Sequence, residues 1–85
     1  MAVILLIDDD ERLLSVLQRV LESAGHQVHG VASGEAAVRA MPGITAQLVI
    51  TDLIMPDKEG IETILELKRL NPNVELMFMM ASAEH

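Results

Sequence analysis

The chain opens with an unbroken apolar run, Val3-Ile4-Leu5-Leu6-Ile7, that ends on Asp8-Asp9-Asp10. A run that is apolar at every position predicts a strand buried on both faces, as in a parallel sheet. The period then changes. Leu13, Leu14, Leu17, Val20, Leu21 and Ala24 recur at three- and four-residue steps and predict a helix with these residues inward. Asp9 or Asp10 can cap its start, Glu11 suits its first turn, and Gly25 fits just past its end.

The alternation repeats. Gln27 to Val31 reads as a second, less apolar strand. Ser33 can cap a short helix from Gly34 to Met41, stopped by Pro42-Gly43. Leu48-Val49-Ile50-Thr51 is a third strand with Asp52 at its carboxyl end, and Met55 to Gly60 is turn-like. Ile61 to Leu70 is helical, with Ile61, Ile64, Leu65 and Leu67 as its inward candidates. Asn71-Pro72-Asn73 breaks it, and Val74 to Ala81 is a methionine-rich fourth strand. Strand–helix alternation ending on a strand predicts an α/β fold with a parallel sheet and helices on both faces. No repeat, low-complexity stretch or long linker divides the chain, so residues 1–85 read as one domain.

Composition narrows the function. Hydrophobic residues make up 51% of the chain, too many for a disordered segment. The net charge of -7, from 13 acidic and 6 basic residues, argues against a nucleic-acid surface, which needs a Lys/Arg patch. The absence of cysteine rules out disulfides and thiolate metal sites. The first apolar run is too short for a membrane span and lacks the basic start of a signal peptide. A cytoplasmic location is the simplest expectation.

The acidic residues carry the candidate chemistry. Ligands of open parallel sheets gather at the carboxyl ends of strands. Asp8, Asp9 and Asp10 follow the first strand, and Asp52 ends the third. If those strands are neighbours, several carboxylates share one pocket and repel each other unless a cation neutralises them. Mg²⁺ suits such hard oxygen ligands. An aspartate beside it can attack a phosphoryl group. Asp10 and Glu11 fit better as helix-start residues. His26, His29 and His85 are too scattered for a metal site.

These residues give the chain a resemblance to response-regulator receiver domains of two-component signalling. The resemblance runs from Ile4 to the end of the chain. Leu5-Leu6-Ile7-Asp8-Asp9-Asp10, the block Leu48-Val49-Ile50-Thr51-Asp52-Leu53-Ile54-Met55-Pro56, and Gly60 carry it. It implies a flavodoxin-like doubly wound sheet in strand order 2-1-3-4. It also implies that Asp52 accepts a phosphoryl group from a histidine kinase or phosphotransfer protein. Asp9 resembles the direct Mg²⁺ ligand, Asp8 its companion acid, and Ile54 the residue whose backbone carbonyl completes the metal site. Gly60 shapes the loop, where glycine can take positive φ. Such a domain is regulatory and bacterial, with aspartyl-phosphate chemistry of its own, and is not an enzyme in the ordinary sense.

Two departures stand out. The family's switch hydroxyl falls on Met80 when counted from Pro72, and on Ser82 by the local apolar-run-then-Ser-Ala pattern; Ser82 is slightly preferred. The family's fifth strand, last two helices and pairing lysine are absent before His85, and Lys58 and Lys68 are misplaced to substitute. The chain thus reads as a receiver incomplete at its C-terminus. Its fourth strand would be an apolar edge that favours instability, aggregation or a homodimer. The methionines at 77, 79 and 80 read as core filler. Two other functions compete. One is a receiver that works as a binding or dimerisation module without phosphorylation. The other is an aspartate-nucleophile phosphatase of the haloacid dehalogenase type, which would use Asp8 and Asp10 but has Arg12 where a small or hydroxyl-bearing residue is usual.

Overall fold

The computed structural model describes residues 1–52 and 58–79, with the backbone alone for 58–60. Four strands and three α-helices alternate along these residues. They are β1 (Val3–Ile7), α1 (Glu11–Ser23), β2 (Gln27–Val31), α2 (Gly34–Ala40), β3 (Leu48–Asp52), α3 (Lys58–Leu70) and β4 (Glu75–Met79). A single 3₁₀ turn, Met41–Gly43, follows α2. The strands form one parallel sheet in the order β2-β1-β3-β4. The order reverses between β1 and β3, so the carboxyl ends of those two strands flank the crevice where open sheets hold ligands.

Strand alternation divides the core in two. Leu5, Ile7 and Val49 point to the face covered by α2 and α3, where Ala37, Met41, Ala46, Leu67 and Val74 join them. Ile4, Leu6, Val28 and Ile50 point to the other face, under Leu14, Leu17 and Leu21 of α1. The central strand β1 is buried from Ile4 to Ile7, as its uninterrupted apolar run predicts.

The helices sort the candidate core residues more strictly than spacing does. In α1 the sheet takes Leu14, Leu17 and Leu21, while Leu13 and Val20 are exposed. In α3 the buried residue is Leu67; Ile61 and Leu65 are 65% and 64% exposed, against the expectation that they face inward. Helix α3 also begins at Lys58, inside the segment expected to be a turn, so Gly60 occupies a helical position that asks for no positive φ. The described part of β4 ends at Met79, and Met77 is 51% exposed rather than core filler.

Caps match their chemistry. The Asp10 carboxylate accepts from the backbone N–H groups of Arg12 and Leu13 at the start of α1. The Ser33 hydroxyl accepts from that of Ala36 at the start of α2. Gly25 takes φ 97° after α1, a conformation that disfavours any Cβ. Gly34 matters for space. A Cβ there would lie 2.5 Å from Thr63 Oγ1 and 3.0 Å from Thr63 Cβ, so α2 and α3 touch through this glycine. Gly34→Ala is expected to destabilise the protein by about 1–3 kcal/mol through overpacking. A urea midpoint unchanged from wild type would show that the two helices separate at no cost.

Candidate functional site

The same alternation that sorts the core places the acids. Asp52 ends β3 with the parity of Ile50, and Asp8 follows β1 with the parity of Leu6, so both fall on the α1 side of the sheet. Parallel pairing of β1 with β3, Ile7 beside Thr51, sets the two strand ends level. Asp9 is next in the turn to α1. One carboxylate oxygen from each of Asp8, Asp9 and Asp52 lies within 4.8 Å of the others. No other such group of three acids, histidines or cysteines occurs among the described residues.

The three carboxylates are not equivalent. Asp8 is 1% exposed, Asp52 is half-buried and Asp9 is exposed. The Asp8 backbone N–H donates to the carbonyl of Val31 at 3.1 Å. Its Oδ1 accepts from the backbone N–H of Asp10 at 2.8 Å, which fixes the side chain. Its Oδ2 is buried without a hydrogen-bond partner. Burial pushes the Asp8 carboxyl above the usual carboxylate range, the Asp10 N–H opposes this, and the charges of Asp52, Asp9 and Asp10 add to the rise.

This arrangement fits a small divalent cation. Every donor is a hard oxygen, and the buried Oδ2 of Asp8 lacks a partner. Asp10 stands apart as the cap of α1. Lys68 is engaged at the opposite end of the sheet, where its Nζ donates to the carbonyls of Pro72 and Val74 at 3.1 and 2.8 Å. It cannot serve the acidic cluster from there. The geometry also ranks the two candidate nucleophiles. Asp8 is enclosed and held by Asp10, whereas Asp52 is the more open carboxylate. That disfavours chemistry centred on Asp8.

Ile54, Met55, Pro56, Met80 and Ser82 lie outside the described residues. One feature of the site is absent from the sequence-based expectations. Thr51, the last residue before Asp52, is 1% exposed, and its Oγ1 has no partner. Its only trace in the sequence is a hydroxyl closing an otherwise apolar strand.

Comparison with known proteins agrees with the fold. The model of the response regulator receiver domain family matches residues 4–85. The DNA-binding transcriptional regulator NtrC of Azospirillum brasilense is 32% identical over 94% of this chain, which spans only 17% of that protein. The response regulator receiver protein CpdR of Brucella abortus is 31% identical over 94% of this chain and 67% of its own length. The crystal structure of the response regulator TrrA of Thermotoga maritima, in complex with Mg²⁺-BeF, superposes with a TM-score of 0.82. It is 25% identical, over 98% of this chain and 72% of that one. No helix among the described residues is long and apolar enough to cross a membrane. The parallel 2-1-3-4 sheet, its acids at the switch point and a family match running almost end to end make this chain a member of the response regulator receiver domains of two-component signalling.

Proposed function

We propose that this receiver accepts a phosphoryl group on Asp52 from the phosphohistidine of a histidine kinase or phosphotransfer protein. The observation that carries the reading is the gathering of Asp8, Asp9 and Asp52 within 4.8 Å at the carboxyl ends of β1 and β3. An Asp52 carboxylate oxygen attacks phosphorus, the P–N bond to the donor imidazole breaks, and the imidazole leaves with that electron pair. Water later attacks the acyl phosphate, which returns the Asp52 carboxylate and inorganic phosphate. Asp9, Asp52 and the buried Asp8 would hold Mg²⁺, which supplies positive charge that offsets the clustered carboxylates and the transferred oxygens. The Asp10 N–H keeps Asp8 oriented toward that centre.

The same reading assigns the Ile54 carbonyl as a further ligand and Ser82 as the switch hydroxyl. The domain's role is regulatory, in the cytoplasm, with no nucleic-acid contact of its own. Pairing of two copies along β4 is a separable part of the reading. Its support is that β4 is an outer strand of the sheet among the described residues, with Met77 and Phe78 exposed on it.

The test is labelling by a small acyl-phosphate donor with Mg²⁺ present. Wild type is expected to take up one acid-stable, base-labile phosphoryl group. Asp52→Asn is expected to reduce labelling to background. Full labelling of Asp52→Asn would sink the assignment. Labelling that needs Asp8 alone as nucleophile would point instead to phosphatase-type chemistry.

A further inference from the structure

Two buried side-chain oxygens among the described residues lack a hydrogen-bond partner, Asp8 Oδ2 and Thr51 Oγ1. The first is a member of the acidic cluster. The second is on the other face of the sheet. Thr51 shares the parity of Val49, so its side chain points toward the α2/α3 side while that of Asp52 points toward α1. It stands in the last rung of β3, between Ile7 of β1 and Phe78 of β4. Its strand neighbours there, Ile7 and Phe78, are apolar, and valine has its shape. A hydroxyl there weakens the fold unless it is paired, so its presence one residue before the acceptor needs a reason.

We propose that Thr51 is a positioning residue whose hydroxyl is unpaired in the resting protein and gains an acceptor when Asp52 carries a phosphoryl group. Consecutive residues of an extended strand share one stiff backbone. A rearrangement at the Asp52 side chain is therefore passed to Thr51. A modification shifts a conformational equilibrium only through interactions that differ between the two states. A donor that lacks a partner in one state and finds one in the other provides such a difference. Thr51 then favours the modified state without touching the phosphoryl group. The inference rests on the reading of Asp52 as the acceptor.

The full chain, as wild type, Thr51→Val and Thr51→Ser, is melted without ligand and titrated with beryllofluoride plus Mg²⁺ as a phosphoryl mimic. Without ligand, Thr51→Val is expected to melt roughly 4 °C or more above wild type, because the unpaired hydroxyl is gone. It is expected to bind the mimic roughly tenfold more weakly, the worth of one hydrogen bond in a buried place. Thr51→Ser keeps the hydroxyl and is expected to stay within about threefold of wild type. A Thr51→Val protein that melts below wild type overturns the inference, since the hydroxyl would already be paired at rest. Unchanged affinity for the mimic overturns it too, leaving Thr51 a passive orphan. If wild type itself fails to bind the mimic, the acceptor reading of Asp52 fails and the inference falls with it. The wild-type titration therefore separates the two failures.

Discussion

Leu67→Ala is expected to cost about 2–5 kcal/mol of folding stability. Leu67 is 0% exposed in the cluster formed by Leu5, Ile7, Met41, Val49 and Val74. Truncation removes its methyl groups from water-free surroundings and leaves a cavity, and both effects have the same sign. Domain stabilities run to about 5–15 kcal/mol, and short chains with modest cores lie toward the low end. One residue of α3 therefore holds a substantial fraction of the whole. Leu65→Ala, two positions earlier, is the internal control. Leu65 is 64% exposed, so its truncation is expected to stay within about 0.5 kcal/mol. Urea midpoints of the two variants check the claim. Equal losses would mean that α3 is rotated from the orientation described here.

That contrast shows where the sequence was readable and where it was not. The strands are legible because Val3–Ile7 and Leu48–Ile50 are apolar at every position, which a sheet covered on both sides accommodates. The starts of α1 and α2 were legible because Asp10 and Ser33 have the right side chains one residue before the helical period begins. The inward faces were less legible. Helix α1 carries two apolar stripes, Leu14-Leu17-Leu21 and Leu13-Val16-Val20, and both have helical spacing. Only the first meets the sheet. The choice depends on how the helix is rolled over β1 and β2, which periodicity does not specify. In α3 the same roll selects Leu67 and Leu70 over Ile61 and Leu65.

The acidic site was legible for a related reason. Acids directly after apolar strands must emerge at the carboxyl edge, so the pairing of β1 with β3 brings Asp8, Asp9 and Asp52 together. What remained hidden was the inequality among them. Burial of Asp8 follows from the tight turn in which Asp10 folds back onto its Oδ1, a tertiary detail. The unpaired hydroxyl of Thr51 was hidden in the same way. Whether a hydroxyl finds an acceptor depends on atoms from three strands and a helix, and the sequence shows only that a threonine is there.

Asp8→Asn is expected to stabilise the metal-free protein and to remove most of its response to Mg²⁺. The wild-type carboxylate is buried, has one oxygen without a partner, and sits with the Asp9 and Asp52 charges within 4.8 Å. Unit charges at such spacing repel by about 3–4 kcal/mol at an effective dielectric near 20 and by about 1 in water. Asp9 is exposed and Asp52 half-buried, so the lower part of that range applies, and a gain of roughly 1 kcal/mol is expected. Asparagine keeps the size and the Oδ1 that receives the Asp10 N–H at 2.8 Å. Its new NH₂ faces carboxylates that can accept from it. Mg²⁺ reverses the ranking. A ligand that binds only the folded state at 100 times its Kd adds about 2.7 kcal/mol, and this is available to wild type. The variant has lost a charged ligand from the innermost position and gains little. Urea midpoints with and without Mg²⁺, at constant ionic strength, should therefore cross: Asp8→Asn higher without the ion, wild type higher with it. A variant that is less stable without Mg²⁺ would mean that the Asp8 carboxylate is compensated in the resting protein. An undiminished Mg²⁺ response would remove Asp8 from the metal site and leave Asp9 and Asp52 as its only acidic side chains among the described residues.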